Sequence, residues 1–232
     1  MAAPGVATGI GSKLLCSARY VSGFSQQQSF DDLVQYSGIL QELTVDYDDV
    51  QKSVTTSLFG LSEKTANYLP NIGCAIDYSG FNQRASLQTE QVSASDEAWP
   101  AGDNIGAADS DMEGMLQRLL AKDNEEGFNT RAFLVAHRGK VVAEAYGQGA
   151  DADTPLLGWS MAKSLTAIML ANLEYHEELD LDAAPEFELW AGDERSQIRI
   201  SDMLTMTDGL AFSEEYNPGD DATAMLFIEP SS

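Results

Sequence analysis

The chain has 232 residues, 44% of them apolar, which is enough for one ample core or for a core with a smaller module appended, and excludes a disordered chain. Its 13 Lys and Arg stand against 37 Asp and Glu, a net charge of −24 that repels phosphate backbones and argues against any nucleic-acid partner, while solubility or a salty habitat accounts for the acidity itself. No run reaches the ~20 apolar residues of a membrane-spanning helix, and the opening MAAPGVATGIGSKLLCSARY shows no signal peptide, lacking a charged start followed by an apolar core.

Residues 1–95 read as a small β-containing amino-terminal extension. Thr44 to Leu58 (TVDYDDVQKSVTTSL) is rich in Val, Thr and Tyr as strands are, and turn signals follow at Pro70, Asn71 and Gly73. Both cysteines, Cys16 and Cys74, lie here, with a spacing that fits no zinc motif. In an oxidising compartment one bridge would close a loop of about 60 residues and stabilise the fold by ~4 kcal/mol; in the cytosol two inert buried thiols are expected. Ser93 to Asp109 is small, polar and broken by Pro100 and Gly102, and 96–109 is assigned as a linker.

The remaining part, 110–232, opens with a predicted helix. Ser110 and Glu113 form a capping box ahead of Met112, Met115, Leu116, Leu119 and Leu120 at helical spacing. Ala132 to Tyr146 (AFLVAHRGKVVAEAY) reads as two strands joined at Arg138 and Gly139. A hairpin after a helix implies an antiparallel sheet with helical cover, an α+β arrangement. From Ser160 the run SMAKSLTAIMLANLEYHEEL is helical, with Leu165, Ile168, Met169 and Leu173 on one face and Ala167, Leu170 and Ala171 widening the apolar surface, so burial on several sides is expected. A shorter helix is predicted over Ser201 to Thr207, with Ser201 as N-cap and Gly209 as its stop.

Polar groups cluster where that apolar helix begins: Ser160, Lys163 and Ser164. A serine hydroxyl is a weak nucleophile until a base within hydrogen-bond reach takes its proton, and residues three apart on a helix share a face. Ser160 and Lys163 are thus candidate nucleophile and base, and a first-turn amide beside Ser160 could form half of an oxyanion hole. To accept a proton near neutral pH, Lys163 must lose part of its hydration, which the surrounding apolar residues are expected to favour. On spacing alone, a capping serine with a lysine reaching into solvent accounts for the same residues.

The order of the motifs adds more. The hairpin FLVAHRGKVVAEAYG is followed by GWSMAKS opening a helix, then by LDLDAAP and IRISDMLTMTDGL. In this order the chain resembles the serine β-lactamase-related hydrolases, which include class C β-lactamases, penicillin-binding DD-peptidases, serine esterases and 6-aminohexanoate-dimer hydrolases. The resemblance covers residues 128–228, and LLCSARYVSGF and NIGCAI look like the amino-terminal extension of a bacterial subgroup. It implies an antiparallel sheet with helices like that of β-lactamases and penicillin-binding proteins, incomplete in this chain, with Ser160 forming an acyl-enzyme and Lys163 as base. The implied substrate is a small ester, amide or β-lactam, and the implied location is periplasmic or otherwise extracytoplasmic. Asp208 replaces the serine of the family's Thr-Ser-Gly turn. The family's Tyr-x-Asn and Lys-Thr-Gly or His-Thr-Gly elements are absent, which implies that these residues are an amino-terminal portion of a longer hydrolase. The same absence supports an alternative, a non-hydrolytic pseudoenzyme or binding fragment of the same fold.

Other residues attract blander readings. Tyr175 and Tyr216 are read as structural, His137 as a strand-end surface residue, and His176 with Glu174, Glu177 and Glu178 as a solvated helix end rather than a metal site. Asp180, Asp182, Glu186 and Glu188 read as an exposed acidic loop. No glycine-rich phosphate loop precedes a helix, and the acyl chemistry needs no cofactor.

Overall fold

The computed structural model describes residues 2–78 and 95–229; the end of the 1–95 segment, residues 93 and 94 of the linker run, and 230–232 lie outside them. Both sheets are antiparallel and are accompanied by helices, as an α+β arrangement requires.

The first layer is helix α1 (Ala2–Cys16), helix α2 (Gln26–Leu33) and a meander of strands β1 (Leu43–Asp48), β2 (Ser53–Leu58), β3 (Ser62–Leu69) and β4 (Gly73–Ile76), paired in chain order. The predicted strand run is two strands, because the chain reverses after Asp48, whose carboxylate accepts from the amides of Val50 and Gln51. Asn71 and Gly73, both at positive φ, turn β3 into β4 as the sequence suggests. Strand β2 alternates, burying Val54, Thr56 and Leu58 against α1. Each large apolar side chain withdrawn from water there contributes about 1.5–3 kcal/mol. Helix α1 lies close to the sheet because it is glycine-rich: a Cβ on Gly11 would come within 2.6 Å of a Leu43 methyl. Cys16 and Cys74 are bonded, Cα atoms 6.0 Å apart, in the buried cluster of Leu15, Leu33, Leu40 and Val54.

A second cluster lies between helix α3 (Ser110–Glu125) and a hairpin of β5 (Ala132–His137) and β6 (Lys140–Tyr146). Met112, Leu116 and Leu120 face Ala143 and Ala145, while Met115 and Leu119 stay exposed. The N-cap is Asp109, one residue earlier than predicted: its side chain accepts from the amides of Asp111 and Met112 at 3.0 and 3.1 Å. The turn falls at Arg138 and Gly139, both at positive φ, as a two-residue hairpin demands. The register shifts beside Val135 and Ala136, leaving Val142 without a cross-strand partner, and its carbonyl instead accepts from Asp109 N at 2.8 Å. The bulge thereby anchors the start of α3.

Beyond Pro155 come helix α4 (Met161–Tyr175), short 3-10 turns, helix α5 (Ile200–Leu204) and helix α6 (Asp221–Phe227). The chain divides into two compact units: Met1–Pro155 with Asn217–Gly219 and Thr223–Ser232, and Leu156–Tyr216 with Asp220–Ala222. No described helix is long and apolar enough to cross a membrane.

Candidate active site at the start of helix α4

The turn into α4 is tight. Met161, Ala162 and Lys163 donate their amides to the carbonyls of Gly158, Trp159 and Ser160 at 3.0, 3.1 and 3.1 Å, all spanning three residues. Trp159, immediately before Ser160, has φ 43, a left-handed conformation that costs a non-glycine residue energy and recurs at functional turns.

Ser160 sits at the N-cap position with φ −65, already helical, and its side chain makes no capping hydrogen bond. Its hydroxyl is therefore not consumed by the helix end. Lys163 Nζ donates to Ser160 Oγ at 3.2 Å, so the two candidate residues meet across one helical turn. Ser164 is also exposed, one position farther round. Met161, Ala162 and Lys163 have already committed their amides to the turn, leaving Ser160's own N–H, among the described residues, without a backbone acceptor.

The expected burial does not occur. Ser160 and Lys163 are exposed, and Leu165, Ile168 and Met169 on the helix are each 59–67% exposed. Helix α4 has no buried residue, and no other described element packs closely on it. Apolar pattern reports what a helix can bury, whereas burial needs a covering element.

Two family-like segments lie side by side. Ile200 and Ser201 donate their amides to the carbonyls of Ala183 and Leu181 at 3.1 and 2.8 Å, joining LDLDAAP to the start of IRISDML. Asp182 is not merely solvated: it pairs with Arg199 at 3.3 Å and accepts from Ser201 Oγ at 3.3 Å. Arg199, rather than Ser201, is the cap residue of α5, and its amide donates to Asp202 at 3.0 Å. Hydrogen bonding from Arg199 lowers the Asp202 pKa, and Arg195 likewise brings Asp193 down to about 2. Helix α5 ends at Leu204 with Met206 at φ 56, before the predicted stop at Gly209. Asp208 accepts from Leu210 N at 2.8 Å, a local bond that a short polar side chain supplies at such a turn.

The remaining candidates stand apart in role. Tyr216 donates its hydroxyl to Glu214 at 3.0 Å, and that hydrogen bond raises its pKa. His137 ends β5 and is exposed; His176 caps α4, with its ring edge-on to Tyr175 at 5.2 Å. Among the described residues no group of His, Cys, Asp or Glu could hold a metal ion. Sequence reading missed the strained Trp159, for which a bulky residue before the Ser-x-x-Lys helix gives no local signal.

The beta-lactamase family model matches residues 113–228, half of the chain, from within α3 past the end of α6. The chain belongs to the beta-lactamase family. No curated protein and no solved structure matches the chain. Membership of the beta-lactamase family supplies the general class, a hydrolase acting on small molecules, and the match takes in the hairpin, Ser160, Lys163 and the α5 segment.

Proposed function

We propose that the protein is a serine hydrolase that forms an acyl-enzyme on Ser160 with Lys163 as base, acting on a small ester, amide or β-lactam. The observation that carries this reading is the 3.2 Å approach of Lys163 Nζ to a serine hydroxyl free of capping duty. Ser160 Oγ attacks the carbonyl carbon, its proton passes to Lys163 Nζ, and the scissile C–O or C–N bond breaks as the leaving group takes that proton. Water then hydrolyses the acyl ester and restores the hydroxyl. Ser160 N–H is the amide best placed to meet the developing oxyanion.

Lys163 is exposed, and its Nζ donates to Ser160 Oγ, a contact that orients the hydroxyl. This exposure favours a second reading, a non-hydrolytic pseudoenzyme or binding fragment of the same fold.

The same proposal divides the chain into an amino-terminal extension (1–95), a linker (96–109) and the first part of a catalytic domain with the β-lactamase and penicillin-binding-protein architecture (110–232). It places the protein outside the cytoplasm, a location supported by the buried Cys16–Cys74 bridge, since such bonds persist where the environment is oxidising.

Treatment with a fluorophosphonate or a β-lactam followed by intact-mass measurement tests the chemistry. A covalent adduct that disappears in Ser160→Ala is expected. Absence of an adduct on folded protein would leave the binding reading in its place.

A further inference from the structure

A groove of about 630 Å³ opens beside the β5–β6 hairpin, wholly inside the unit that contains Met1–Pro155. The bulge shapes it. Where the register shifts at Val135 and Ala136, Val142 loses its cross-strand partner and its carbonyl is taken by Asp109 N at 2.8 Å, which brings the segment ending in Asp109 alongside the hairpin. Met112, Val135, Ala136 and Val142 supply an apolar lining, and Asp109 and His137 are its polar members. A concave apolar surface of that size with few polar groups is the usual form of a small-molecule site.

The charge next to it is out of keeping with the chain. In a protein with a net charge of −24, the hairpin turn is His137, Arg138, Gly139 and Lys140. Lys140 is the cross-strand partner of His137, and residues so paired share a face of the hairpin. All three basic side chains are exposed, and among the described residues none has an ion pair or a hydrogen bond. By contrast Arg19, Lys122, Arg131, Arg195 and Arg199 are each ion-paired. Two fixed cations on either side of one glycine repel each other, and an anion held between them removes that cost.

Asp109 restricts which anion fits. Its carboxylate accepts from the amides of Asp111 and Met112 at 3.0 and 3.1 Å, so it serves the start of α3, but its charge stays beside the groove. A singly charged head group meets that repulsion once, and a doubly charged phosphate meets it twice. The guanidinium of Arg138 suits the planar, two-oxygen face of a carboxylate. The lining holds no aromatic ring, and its Met and Val side chains match a flexible aliphatic chain.

We propose that this groove is a binding site for an aliphatic carboxylate, its chain lying on Met112, Val135 and Val142 and its head group held by Arg138 and Lys140 with His137 at the edge. The site does not rest on the reading of Ser160 as nucleophile.

Octanoate is the probe, titrated into the full chain and followed by amide chemical shifts and by calorimetry. Saturable binding is expected, with shifts at Ala136, His137 and Val142. Octan-1-ol, which keeps the chain, and acetate, which keeps the head group, each bind more weakly by tenfold or more, on the order of one lost contact set out of two. The double variant Arg138→Asn/Lys140→Gln weakens octanoate on the order of tenfold, the scale of two exposed charge-assisted contacts, and leaves octan-1-ol unchanged. Both positions are exposed, and asparagine tolerates the φ of 50 at position 138, so the fold is kept.

Octan-1-ol binding as tightly as octanoate, or a double variant that binds octanoate as the wild type does, overturns the cationic half of the site. Octyl phosphate bound more tightly than octanoate overturns the carboxylate. Absence of saturable binding, or shifts confined to residues 156–216, overturns the site itself.

Discussion

A lysine one turn after a serine can act in two ways, as a cation that orients the hydroxyl or as a base that removes its proton. The 3.2 Å contact suits both, and substitution separates them. Arginine keeps the cation and the donor but cannot take the proton. Under the proposed mechanism, Lys163→Arg and Lys163→Ala both slow labelling of Ser160 by about 100-fold or more, the scale of a lost general base. Because Lys163 is exposed, neither substitution shifts the urea midpoint. An arginine variant labelled at the wild-type rate would reduce Lys163 to an orienting charge. The pair itself was legible in the sequence because helical geometry fixes residues three apart on one face. The hydration of Lys163 was not, because it depends on what covers the helix. Trp159 was missed for a related reason: its left-handed backbone is imposed by the turn it occupies, and nothing about tryptophan requires it.

Among elements, α3 shows how local sequence gives a helix but leaves its first residue ambiguous. Asp109 and Ser110 are both good caps, and the choice depends on which of them remains extended. The bulge in β6 decides it, since Val142 O takes Asp109 N and holds Asp109 outside the helix with ψ 106. Asp109→Ala should therefore destabilise the protein by about 1 kcal/mol, whereas Ser110→Ala, at the first helical position, should be near neutral. Urea unfolding of the two variants checks the assignment, and a reversed order of costs would return the cap to Ser110. The same reasoning covers α5, where Asp202 reaches back to Arg199 N and displaces Ser201 from the capping position. Helix α4 was predicted correctly as a helix and incorrectly as buried. Its Leu165, Ile168 and Met169 define an apolar surface on the sequence, but periodicity holds no information about whether another element lies over it.

For the whole molecule, the Cys16–Cys74 bond decides a question that composition left open, since two cysteines allow one pairing but do not say whether it forms. It joins the end of α1 to β4 inside the cluster built on Leu15, Leu33, Leu40 and Val54. Two agents thus hold α1 to the sheet: apolar packing in the folded state, and a covalent link that restricts the unfolded chain. They can be separated. With the cysteines 58 positions apart in the sequence, the link contributes about 4 kcal/mol on the chain-entropy account, and none of that depends on native contacts. Replacing both with alanine in Cys16→Ala/Cys74→Ala keeps most of the packing, so α1 should stay docked while the urea midpoint of the amino-terminal layer falls by roughly 2 M, given an m-value of about 1–3 kcal/mol per molar. Amide exchange in β2 and β3 reads that midpoint without interference from residues 156–216. Complete loss of protection in the absence of urea would show instead that packing alone cannot hold α1, and that the bond is a condition of folding rather than an increment to it.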